Sequence, residues 1–218
     1  MASDSDICLY DHPSGSLARA LCAIGRSAGH EIDLGDLIAA MGLSWMACTE
    51  PDEPNVADWS MYARDAFLIP AAQLFGLTVR EVHPPPAARG LDRAAEFEQH
   101  FDASYRPLIH RALEHGQPVL AWRGWPKVWK LWWGVISETC NEGVGFRGKL
   151  YPSPDLSFVE SHVLSAPPTQ LYVVETISPR HPTKRELDEF GAEQRRIVQS
   201  GKLDERFGIT IRVADAAS

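Results

Sequence analysis

The sequence has no uninterrupted apolar run approaching the ~18 residues of a membrane-spanning helix. Its most apolar window, residues 129–136, is broken by Lys130. Positive charge is in deficit: 21 Lys and Arg stand against 29 Asp and Glu, for a net charge of −8. That balance argues against a general binder of nucleic acid or anionic membrane. Met1 to Asp6 contains two acids and no base, and no apolar stretch of signal-peptide length follows, so secretion by that route is not expected. The four cysteines, Cys8, Cys22, Cys48 and Cys140, include no CxxC pair. A disulfide framework is therefore not expected, and a reducing cytoplasm fits. HExxH, GxGxxG, Walker-type and GxSxG motifs are all missing, and His110 and His115 are five residues apart, the wrong spacing to share a helix face. Neither a metal nor a cofactor is expected.

What is present is the composition of a folded chain. Hydrophobic residues make up 44% and charged residues 23% of the 218 positions, and a chain of this size buries about 70% of its extended surface. Helical spacing of Leu17, Leu21 and Ile24 predicts a helix over 14–25 with Ser14 or Ser16 as cap. Asp33 caps a second, carrying Leu34, Leu37, Ile38 and Met41 up to Gly42. Residues 42–55 read as an irregular loop. A long helix from Asp58 to Gly76 should be kinked or divided by Pro70. Thr78 to Val82 alternates as a strand, and two helices follow over 91–101 and 104–115.

After Gly116 the pattern changes to β-branched and aromatic runs at 118–122, 131–137, 144–150 and 171–177, with Asn141-Glu142-Gly143 as a hairpin turn. Thr183 caps a polar amphipathic helix to about Ser200, and 207–213 adds an edge strand. Helices first and an antiparallel sheet second make an α+β fold. Residues 1–178 are expected to form one domain, with 179–218 a helical appendage packed on it.

Five of the seven tryptophans, Trp122, Trp125, Trp129, Trp132 and Trp133, fall within twelve residues, interleaved with Arg123, Lys127 and Lys130. Side chains alternate along a strand, so Trp132 and Trp133 face opposite sides. Packing around the sheet accounts for such a cluster; so does an aromatic wall of a binding pocket with Arg123 at its rim. Cys8, Asp11 and His12 bring thiol, carboxylate and imidazole within five residues. Cys22 falls between core positions of the first helix and reads as a small buried hydrophobe.

Four segments recur in an order that resembles the papain-like families: Ser16-Leu17-Ala18-Arg19-Ala20-Leu21 leading to Gly25, Gly42-Leu43-Ser44-Trp45, Gly116-Gln117-Pro118-Val119-Leu120-Ala121, and Trp132-Trp133-Gly134-Val135-Ile136. The resemblance covers roughly residues 6–177. It is closest in character to bacteriocin-processing peptidase-like domains and to the N-terminal domain of the butirosin-biosynthesis acyltransferase family. It implies a helix headed by a nucleophilic Cys, packed on a sheet whose strand presents a general-base His. Here His12-Pro13-Ser14-Gly15 stands where that Cys would be, and Trp132 where the His would be. Because such groups act as a unit, losing both removes the covalent route.

The resemblance then implies a catalytically degenerate papain-like domain that binds a small molecule or peptide in a Trp-rich cleft of Trp45, Trp122, Arg123, Trp125, Trp129 and Trp132. The alternative is a cysteine-dependent acyltransferase or amide hydrolase, with Cys8 as nucleophile, His12 or a distant His as base and Asp11 as orienter. Helix 183–200 as a docking surface for a partner is a third reading, beside its plain one as a solvated face.

Overall fold

Because side chains alternate between faces, the continuous apolar runs over 119–122 and 171–174 put apolar groups on both faces of a sheet, which must then be covered on both. In the computed structural model, residues 15–42, 46–49, 67–82, 97–126, 129, 132–168, 170–200 and 210–213 are described. Their helices are α1 (Ser16–Ser27), α2 (Leu34–Ala40), α3 (Leu68–Leu74), α4 (Phe97–His100), α5 (Arg106–Glu114) and α6 (Lys184–Gln199). The strands are β1 (Met46–Thr49), β2 (Leu77–Glu81), β3 (Val119–Trp122), β4 (Trp133–Cys140), β5 (Gly145–Leu150), β6 (Glu160–Val163), β7 (Gln170–Ile177) and β8 (Thr210–Val213). Six strands form one sheet in the order β2-β7-β3-β4-β5-β6, with every neighbouring pair antiparallel. The protein is therefore α+β, its helices mostly N-terminal and its sheet mostly C-terminal.

Leu120, Trp122, Trp133, Val135, Tyr172 and Val174 point to one face and share a core with α1, α2 and α3. Val119, Ala121, Ile136, Phe146, Leu171 and Val173 point to the other, where Phe101, Tyr105, Ile109 and Ala112 cover them. Helix α1 is the centre of the first core: all ten residues from Ser16 to Gly25 are buried, Arg19 among them. Alanines at 18, 20 and 23 allow the close approach that packing on every side requires. The Asn141-Glu142-Gly143 turn joins β4 to β5 with three successive positive φ angles of 51°, 56° and 89°.

Several elements depart from the sequence reading. Ser16 does not cap α1 but is its first residue, the N-cap being Gly15, and Ser14 lies outside the described residues. Of the helix expected over 58–76, residues 58–66 lie outside the described residues; Pro70 kinks nothing in the part described, because it sits in the first turn of α3, where no N–H partner is lost. The stretches 97–100 and 106–114 are not separate helices but run together through a π-helical turn, Phe101–Tyr105. Met46–Thr49 forms a strand where a loop was expected. It pairs with Thr210–Val213, so the last strand joins a separate two-stranded sheet instead of the edge of the main one.

Asp33 does cap α2, accepting the Asp36 N–H at 2.8 Å. Thr183 caps α6 in a reciprocal box with Glu186. Leu187, Phe190 and Ile197 on α6 pack against the first core, and Val198 is buried in it.

Candidate functional site

The tryptophans gather at one end of the sheet because three strands terminate there together. Trp122 closes β3, Trp133 opens β4 opposite it, and Gln170 opens β7 on the other side of Trp122. The N-terminus of α1 abuts this end. Ser16 Oγ accepts the backbone N–H of Trp133 at 3.0 Å, tying the head of the helix to the head of the strand. Tyr172, two residues along β7 and on the same face, meets Trp133 in a tilted ring contact at 5.7 Å, and its hydroxyl receives the Gln170 Nε2 donor at 2.9 Å.

Two guanidinium groups border the aromatic rings. Arg123, held at φ 65°, places its Cζ 4.0 Å from the Trp122 ring centre. Arg19, fully buried one turn into α1, lies 5.0 Å from the Trp132 ring. Such contacts favour a desolvated cation by about 2 kcal/mol. Trp129 meets Trp132 edge-on at 4.9 Å and faces His162 of β6 at 6.5 Å. His162 Nε2 stands 3.2 Å from Glu160.

The tryptophans read together in the sequence divide between the two faces, as alternation requires. Trp122 and Trp133 belong to the core around α1, while Trp125 and Trp132 belong to the opposite one, with Trp129 packed against it. Trp125 is 2% exposed and donates its indole N–H to the Ala121 carbonyl at 3.2 Å. Its ring fills the notch left by Gly134 on β4 and Gly148 on β5: a Cβ on either would come 2.5 Å and 2.7 Å from it. Trp125 is a core plug with its polar atom satisfied. Trp45, Cys8, Asp11 and His12 lie outside the described residues. Cys48 is on β1.

The cavities beside α2 and α6, beside Phe101 and Phe146, and beside His110 and Thr139 are not lined by tryptophan. The first of these, about 600 Å³, lies between α2 and α6 and is edged by Asp36, Lys184, Asp188 and Arg195. Among the described residues no group of three His, Cys, Asp or Glu side chains is placed to hold a metal ion, and no helix is long and apolar enough to cross a membrane. Cys22 is 3% exposed, and burial, reinforced by the Asp33 carboxylate, pushes its thiol up to about 12. A thiol so raised is not a nucleophile at neutral pH.

Ser16, Arg19, Gln170 and Tyr172 join this sheet end without having been picked out as site residues in the sequence. Arg19 carried a usable signal, an arginine flanked by Ala18 and Ala20 within an otherwise apolar helix. Gln170 carried none, since a single polar residue at the start of a strand is ordinary. The chain matches no family model, no curated protein and no solved structure.

Proposed function

We propose that the chain is a papain-like domain without covalent catalysis that binds a small molecule or peptide at the sheet end where α1, β3, β4 and β7 meet. The observation that carries this reading is the contact between Ser16 and Trp133. In the resembled families the helix head and the strand start supply nucleophile and base. Here a serine hydroxyl at the helix head is engaged by a backbone N–H, and the strand is entered through Trp132 and Trp133. Trp129 and Trp132, bordered by Arg19, supply aromatic surface and charge suited to holding a ligand.

The test is a titration of the full chain with a panel of metabolites and short peptides, read by tryptophan fluorescence. The expected result is a saturable change that Trp129→Ala or Trp132→Phe weakens. An amide- or ester-cleaving activity that disappears in Cys8→Ala would overturn the reading and establish the cysteine-dependent enzyme instead.

A further inference from the structure

On the strands that meet at this sheet end, Nε1 of Trp122, Nε1 of Trp133 and Oε1 of Gln170 are buried and have no hydrogen-bond partner. They belong to one row. Gln170 is registered with Trp122, and Trp122 with Trp133, so the three side chains stand side by side on one face of β7, β3 and β4. Neighbours in such a row are about 5 Å apart at Cβ. Trp122 and Trp133 are 2% exposed and Gln170 4%.

Native interiors leave few such groups unpaired, and three side by side in one row point to a partner that satisfies them together. The chemistry of that partner follows from the donor inventory. An indole N–H only donates. The Gln170 amide nitrogen is already given to the Tyr172 hydroxyl, which leaves its carbonyl oxygen as an acceptor. The row therefore presents two donors and one acceptor, beside the N-terminus of the twelve-residue helix α1, whose dipole favours an incoming oxygen.

A carboxylate meets the two indoles but sets its second oxygen against the Gln170 oxygen. A planar group with oxygen on one side and N–H on the other meets all three. We propose that this row is a subsite for a neutral carboxamide: its C=O accepts from Trp122 and Trp133, and its N–H donates to Gln170 Oε1. The source is the side-chain amide of a ligand or a peptide bond. Because Trp122 ends its strand while Trp133 and Gln170 begin theirs, the row is the last before the connecting loops. The inference rests on the sheet end being a binding site and specifies what it recognises.

The test uses the full chain with ¹⁵N-labelled indoles, assigned through Trp122→Phe and Trp133→Phe, and titrated with propionamide, N-methylacetamide and propionate. Saturable downfield shifts of both indole N–H signals are expected with an amide, and Gln170→Met should weaken binding about tenfold. Preference for propionamide identifies a side-chain amide as the source, and preference for N-methylacetamide a peptide bond. If Gln170→Met does not fold, the amide-against-propionate comparison in the unaltered chain decides alone. Tighter binding of propionate overturns the carboxamide assignment. Movement confined to Trp129 overturns the row while leaving the binding site standing. If no indole moves with these probes or with the metabolite and peptide panel, both fall.

Discussion

Ser16 Oγ and the backbone N–H of Trp133 are joined by a buried 3.0 Å hydrogen bond across 117 residues of sequence. It fixes where the head of α1 stands against β4. Ser16→Ala removes the acceptor and strands a buried N–H, a loss of about 1–3 kcal/mol. Urea unfolding should show a lower midpoint with an unchanged slope. A midpoint equal to that of the unaltered chain would mean that the bond contributes nothing net.

Trp125 and Gly134 make a second prediction. A methyl group at position 134 would sit 2.5 Å from the indole Cζ2, and the ring has Gly148 beneath it as well. Gly134→Ala should destabilise by about 1–3 kcal/mol through overpacking. Trp125→Leu in the same background should recover part of the loss, and the double-mutant cycle measures how much. Independent, additive effects would show that the two residues do not press on one another.

Cys22 tests burial directly. Its thiol is raised from 9.0 to about 12, mainly by desolvation. The folded form thus holds the proton more tightly than the unfolded one. The stabilisation this reflects is complete below the unfolded value and is lost as pH rises toward about 12. Iodoacetamide should label Cys22 slowly in the native protein even near pH ~9, and at the ordinary thiol rate in urea. Fast native labelling at neutral pH would contradict the burial.

Thr183 and Glu186 test the cap of α6. The Thr183 backbone N–H, its hydroxyl and Arg180 hold the Glu186 carboxyl down at about 2. The sign is the reverse of the Cys22 case: the contribution is present above the ordinary value of 4.5 and disappears as pH falls toward about 2. The difference in Tm between the unaltered chain and Glu186→Gln should shrink over that interval. Thr183→Ala should cost the helix about 1 kcal/mol at neutral pH, seen as reduced helical circular dichroism at a fixed urea concentration. A pH-independent difference for Glu186→Gln would show that the carboxylate is not what closes the cap.

Local chemistry was enough for much of the architecture. Apolar spacing located α1, α2 and α6, Asp33 and Thr183 marked two helix starts, and the β-branched and aromatic runs located β3, β4, β5 and β7. These elements are legible because their side-chain period and caps act over a few residues. Strand β6, with the sequence Glu-Ser-His-Val, was missed because an edge strand takes its identity from the neighbour it pairs with. The pairing of β1 with β8 was equally hidden, since its two halves are brought together only by the fold.

At the site, alternation alone required Trp132 and Trp133 to part to opposite faces. Nothing local could show that Gln170, Trp122 and Trp133 align in one row, or that Ser16 closes on Trp133. Those relations depend on strand register and on where α1 lies across the sheet. Register and helix placement are set by the packing of both cores at once, so the sequence by itself determined the elements, and only the tertiary structure decided which polar groups it leaves buried together.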